Sequence, residues 1–202
     1  MLRMLPLIML SETILMKIIS TFDSSVYEFI SGYISEGMTD FMKFITLWGS
    51  WLELSIVSLA IPAVVRKSKR YFRYSLLIPL NLMASSLLNY ILKVLVQRPR
   101  PELLKLIEIS GFSFPSGHSM TAMSFYGFLI FLSIRYFKHW SRYCIAGALS
   151  ILVLAIGISR IYLGVHYASD VLAGFIFGFA WLVVFIKLSD RFVFSEGKHT
   201  ES

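Results

Sequence analysis

Three short clusters of residues carry side chains suited to chemistry on an oxyanion. In Ser159-Arg160…His166…Asp170 the histidine and the aspartate lie four positions apart. On a helix that spacing lets the carboxylate hold the imidazole by a hydrogen bond. The bond fixes the tautomer and leaves the other ring nitrogen as a nucleophile or base. Arg160 closes the preceding apolar run, and Gly164 allows the chain to turn back. The second cluster is Phe114-Pro115-Ser116-Gly117-His118-Ser119. Ser116 reads as a helix N-cap, with Gly117 and His118 in the first turn. A helix N-terminus offers free backbone N–H groups and a positive dipole end, and Gly117 leaves room for an anion to approach. The third cluster, Lys93-Val-Leu-Val-Gln-Arg-Pro-Arg100-Pro101, pairs a point charge with a planar donor fork, the combination that suits an anion with several oxygens. Lys93 and Arg100 are two helical turns apart and would share a face if the helix continued, although Pro99 and Pro101 are placed to end it.

Each cluster alone has a plainer reading. Lys93 could snorkel while Arg98 and Arg100 anchor at lipid headgroups. Ser116 could cap a helix whose histidine is incidental, and a single His–Asp pair is more often structural than catalytic. Convergence decides between the readings. Asn81, Ser85, Asn89 and Lys93 recur every four residues and form one polar stripe leading to Lys93. Interhelical hydrogen bonding explains the deeper members of such a stripe, and a site explains Asn89 and Lys93.

The elements that must position these residues are membrane helices. Of the 202 residues 56% are hydrophobic and 15% charged, with a mean hydropathy of +0.71. A soluble domain usually carries about 25% charged residues. Apolar runs at 42–65, 74–96, 119–137, 144–163 and 165–187 are long enough to cross the bilayer. An N-terminal stretch, 4–20, is interrupted by Pro6, Ser11, Glu12 and Lys17, and reads as a weak sixth span or an interfacial helix. Residues 21–40 read as an interfacial connection. The expectation is therefore an all-α polytopic bundle of five to six spans in one domain over 1–202: N-terminal region 1–40, transmembrane core 41–187 and cytoplasmic tail 188–202. The formal charge of +7 resides in short loops, which argues for topology and against nucleic acid. Arg66, Lys67, Lys69, Arg70 and Arg73, then Arg135, Lys138 and Arg142, then Lys187, Arg191 and Lys198 fall on one side once the spans alternate. The positive side is the cytoplasmic one. Segment 97–118 and the turn near 160–166 then share the extracytoplasmic face, so all three clusters meet there. The one cysteine, Cys144, excludes an intramolecular disulfide framework and a cysteine-cluster metal site. The N-terminus lacks the pattern of a cleaved signal peptide.

At these positions the chain resembles the type 2 phosphatidic acid phosphatase family, which shares its site architecture with vanadium haloperoxidases. The family's three motifs are matched in order by Lys93…Arg100-Pro101, Pro115-Ser116-Gly117-His118 and Ser159-Arg160…His166…Asp170. The resemblance implies a metal-free phosphatase without a cofactor, acting on a lipid phosphate in the cell membrane. His166 would attack phosphorus and form a phosphohistidine, Asp170 would orient it, and His118 would protonate the leaving oxygen. Lys93, Arg100, Arg160, the Ser116 hydroxyl and the Gly117 amide would hold the phosphate oxygens. Undecaprenyl diphosphate, phosphatidylglycerophosphate and phosphatidic acid are the substrates such a site suits. The alternatives are a lipid phosphotransferase and a non-catalytic lipid transporter or binding protein.

Overall fold

The computed structural model describes residues 5–191 apart from 103 and 138, and within them the chain forms eight helices. They are α1 (Leu5–Ser31), α2 (Glu36–Leu47), α3 (Trp51–Val65), α4 (Lys69–Ser75), α5 (Leu77–Val96), α6 (Gly117–Tyr136), α7 (Ser141–Tyr162) and α8 (Ala168–Ser189). The stretch Tyr71–Val96 and helices α6, α7 and α8 are each long and apolar enough to cross a membrane. Helices α2 and α3 meet that condition as a pair, which makes a fifth candidate span. Met83, Leu95, Ile151 and Phe179 point outward and are exposed, as residues facing hydrocarbon must be in a bundle with no water around it.

The expected span 42–65 is not one straight helix. It bends by 46° at the break between α2 and α3. Ser50 is extended there (φ −80°, ψ 154°) and restarts the helix. Gly49 fits the corner because a Cβ would lie 2.5 Å from Ile156 Cγ2 and 3.2 Å from His118 Cδ2. The N-terminal expectation also changes. Residues 21–31, read as connection, continue α1, and α2 begins after Ser35, whose Oγ accepts from Met38 N at 3.4 Å. Most of the expected tail, 192–202, and residues 1–4 lie outside the described residues.

Helix α6 runs through the middle, flanked by α5, α7 and α8. Leu54, Ile78, Leu82, Phe125, Phe128, Ile156, Leu182 and Phe185 fill the core around it. Asn81 cross-links this core as a deep stripe member should: Nδ2 donates to Ser124 O at 3.0 Å, and Oδ1 accepts from Ser124 Oγ and Trp181 Nε1, each at 3.0 Å. Helix α8 approaches α6 most closely at two glycines. A Cβ on Gly174 would meet Ser116 O at 2.8 Å, and one on Gly178 would meet Met120 O at 2.5 Å. Backbone carbonyls cannot swing aside as side chains do, so Gly178→Val is expected to lower stability by about 1–3 kcal/mol or more. Thermal unfolding in detergent measures that loss; an unchanged midpoint would show that the two helices are free to separate.

Candidate active site

The turn between α7 and α8 is set by Gly164, which adopts φ +69°. A side chain there would be strained and its Cβ would lie 2.3 Å from Leu104 O. The turn delivers His166 just ahead of α8, 3% exposed. Its Nε2 lies 3.4 Å from Arg100 Nη1, and its Nδ1 lies 3.3 Å from Ser113 Oγ. The expected direct hydrogen bond to Asp170 is not formed: Nδ1 to Oδ2 is 3.6 Å. Asp170 spends its oxygens elsewhere. Oδ1 accepts from Arg98 Nη1 at 2.7 Å, and Oδ2 accepts from Ser113 Oγ at 2.5 Å and Tyr167 N at 3.0 Å. Burial is the main reason that the His166 pKa drops to about 4; Arg160 and Arg100 add to the fall and Asp170 opposes it. The imidazole is therefore uncharged at neutral pH, as a nitrogen nucleophile must be.

Arg160 closes α7, is 1% exposed, and donates from Nη1 to Thr46 Oγ1 at 2.6 Å. Its Nε is buried and has no hydrogen-bond partner among the described residues. A buried guanidinium with an idle donor is costly, and an anionic ligand would satisfy it. Lys93 stands in the last turn of α5, with Nζ donating to Phe112 O at 2.7 Å and Ser113 O at 3.3 Å. Arg100 does not share a helix face with it. Helix α5 ends at Val96, Gln97 turns left-handed (φ 52°), and the following loop carries Arg100 back. Arg100 donates to Gly111 O at 2.9 Å, Val165 O at 2.8 Å and Ser110 O at 3.1 Å, and burial lowers its pKa. Lys93 bonds the carbonyl of Ser113, whose hydroxyl reaches His166, Arg100 faces the other side of that ring, and Ser116 N donates to Asp170 O at 3.0 Å. The structure thus brings the three clusters to one end of the bundle.

Ser116 caps α6, its Oγ accepting from Ser119 N at 3.4 Å and Ser119 Oγ at 2.9 Å. Those acceptor bonds leave its own hydroxyl proton to donate outward. Gly117 and His118 follow in the first turn, where backbone N–H groups have no helical acceptor. The space expected beside Gly117 is occupied: a Cβ would lie 3.1 Å from Asn89 Oδ1. Asn89 packs on the cap, its Nδ2 reaching Pro115 O at 3.4 Å. An anion would accordingly meet Gly117 through its N–H rather than through a vacant Cβ position.

Several supporting residues escaped sequence reasoning. Arg98, given no site role above, lies between two buried carboxylates, with Nη2 2.8 Å from Asp23 Oδ2 and Nη1 2.7 Å from Asp170 Oδ1. Its guanidinium also stacks on Tyr167, 4.0 Å from the ring centre. Burial opposes its charge, but the two carboxylates raise its pKa. Asp23 of α1 also accepts from Ser169 N at 2.7 Å and Ser169 Oγ at 2.8 Å. Asp23 sits just beyond the apolar run 4–20, where a carboxylate gives no signal that separates a partner from the interface. Nothing in the sequence marked Thr46 or Ser113.

Residues 74–194 match the family model of the PAP2 superfamily. The chain belongs to that superfamily. Phosphatidylglycerophosphatase B of Bacillus subtilis is 44% identical over 97 residues, which are 46% of this chain and 46% of that protein. Lipid A 1-phosphatase of Rhizobium johnstonii is 35% identical over 107 residues, 48% of this chain and 40% of that protein. The chain thus spans less than half the length of these curated relatives in the matched regions. The crystal structure of a transmembrane PAP2 type phosphatidylglycerolphosphate phosphatase from Bacillus subtilis superposes with a TM-score of 0.81 at 27% identity, covering 93% of this chain and 94% of that one. The Aquifex aeolicus LpxE structure matches in fold with a TM-score of 0.65 at 21% identity, covering 81% and 93%. The all-helical membrane architecture is that of the PAP2 superfamily. In this PAP2 chain a cavity of about 200 Å³ adjoins His118 and Gly117, walled by Trp51 and Leu54 of α3 and by Leu82 and Asn89 of α5.

Proposed function

We propose that the chain is a metal-independent lipid phosphate phosphatase working through a phosphohistidine at the extracytoplasmic face, with residues 1–202 acting as one unit. The observation that carries the reading is the surrounding of His166: an uncharged, buried imidazole whose Nε2 faces Arg100, with Arg160 holding an idle donor nearby. Nε2 attacks phosphorus as the bond from phosphorus to the leaving oxygen breaks, and His118 donates its proton to that oxygen. His118 then takes a proton from water, whose oxygen displaces phosphate from His166. Lys93, Arg100, Arg160, the Ser116 hydroxyl and the Gly117 N–H neutralise the equatorial oxygens, work a divalent cation does in many phosphoryl-transfer enzymes. Among the described residues no three His, Cys, Asp or Glu side chains group as a metal site would need. The largely apolar cavity beside His118, between α3 and α5, fits the first part of a lipid leaving group. Similarity to phosphatidylglycerophosphatase B and to the Bacillus subtilis phosphatidylglycerolphosphate phosphatase supports phosphatidylglycerophosphate as the first substrate to try, beside undecaprenyl diphosphate and phosphatidic acid. Basic residues around 66–73 and 135–142 support a cytoplasmic opposite end.

The test is phosphate release by the purified protein in detergent with excess EDTA, on those three lipids. Release that survives EDTA is the expected result; no release from any lipid would overturn the reading in favour of binding or transport. The pH dependence follows from His166. Its folded pKa lies below the usual histidine value, so the nucleophile stays unprotonated until the pH falls through about 4. The His166-dependent acid limb of kcat/KM is expected near 4 rather than near 6.5, once ionisation of the substrate phosphate is allowed for. A limb that follows an ordinary histidine would place His166 in a far more solvated environment.

A further inference from the structure

Ser113 is buried, 0% exposed, and stands between the two residues that the mechanism would couple. Its Oγ is 2.5 Å from Asp170 Oδ2 and 3.3 Å from His166 Nδ1, whereas the histidine and the carboxylate are 3.6 Å apart. Hydrogen-bond arithmetic then fixes the protons. An ionised carboxylate only accepts, so the single hydroxyl proton of Ser113 goes to Asp170. The Ser113 oxygen is left as an acceptor, and Nδ1 can bond to it only by donating. On the other side of the ring, Nε2 faces a guanidinium, which only donates. Both neighbours demand the same tautomer, with the proton on Nδ1 and the lone pair on Nε2. The segment holding Ser113 is pinned as well: its N–H donates to Arg98 O at 2.8 Å, and Lys93 Nζ donates to its carbonyl at 3.3 Å. Arg98 holds the other oxygen of Asp170 and so keeps the carboxylate from moving to the imidazole.

We propose that Ser113 is a positioning residue that relays Asp170 to His166 and sets the nucleophile's tautomer. This rests on the phosphohistidine reading, and the experiment separates the two. The purified protein in detergent is mixed with phosphatidylglycerophosphate carrying a radioactive terminal phosphate, quenched, and assayed for label on His166. Ser113→Ala is expected to acquire label about 10- to 100-fold more slowly than wild type, the scale lost when the partner orienting a metal-bound histidine is removed. Substrate KM should change little, and Ser113→Thr, which keeps the hydroxyl, should recover most of the rate. Nitrogen-15 spectra of histidine-labelled protein supply a readout that a packing role would not move. Wild-type His166 should show a protonated Nδ1 and an unprotonated Nε2, and Ser113→Ala should mix the tautomers. Labelling at the wild-type rate in Ser113→Ala overturns the relay. So does the opposite tautomer in wild type, even if the alanine variant fails to fold. Absence of label on His166 in the wild type, with phosphate still released, would instead overturn the phosphohistidine reading itself.

Discussion

His166→Ala is expected to lower phosphate release from phosphatidylglycerophosphate by about 10⁴-fold or more, the scale seen when a covalent nucleophile is deleted. That corresponds to about 5.5 kcal/mol of lost transition-state stabilisation. The size follows from the surroundings. Arg100, Arg160 and Lys93 can still gather a phosphate, but no neighbouring side chain can replace Nε2 as the attacking atom. Water admitted to the vacated space would have to be activated by His118, which the proposed first step uses as an acid. Binding should therefore survive while turnover disappears, and isothermal titration with vanadate or phosphate beside the activity assay separates the two. Residual turnover within tenfold of wild type would remove His166 from the nucleophilic role.

His118→Ala is expected to cost about 10²- to 10⁴-fold on a lipid phosphate, the range for a lost general acid–base group. The effect should depend on the leaving group. With p-nitrophenyl phosphate the departing oxygen needs little protonation, so the first step should remain quick while hydrolysis of the proposed phosphohistidine, for which His118 would serve as base, stalls. A burst of nitrophenolate matching the enzyme concentration, followed by slow turnover, is the expected trace. Equal losses on both substrates with no burst would show that His118 acts on binding alone. Gly49 packs against this ring at the corner between α2 and α3, so the bend itself defines where the imidazole can stand.

Much of this architecture could be read from hydrophobic periodicity, because a long apolar run has few alternatives to a buried or membrane-facing helix. Helices α6, α7 and α8 fall close to the expected runs for that reason. The break in 42–65 did not show, since Trp48, Gly49 and Ser50 are too short an interruption to lower the hydropathy of the run. The end of α1 was misread because Asp23 and Glu28 resemble an interfacial segment; a buried ion pair inverts what Asp23 means. Among the site residues, the motif positions were visible through their types and spacing. Arg98 and Arg100 are separated by one proline, and spacing alone could not tell which would approach His166 and which would hold Asp170. Ser113 and Thr46 are hydroxyl residues with no local signature, and their importance comes only from contacts with residues far away in sequence.

The family model matches from residue 74 onward, yet two charged side chains within that stretch are gripped from outside it. Asp23 secures Arg98, and Thr46 secures Arg160. A chimaera that joined residues 74–194 to an unrelated N-terminal half would inherit every proposed reactive group and lose both clasps. The edge of the family match is thus not the edge of the contacts that hold these arginines. Swapping N-terminal halves between relatives would have to carry an acid and a hydroxyl along with the helices that present them.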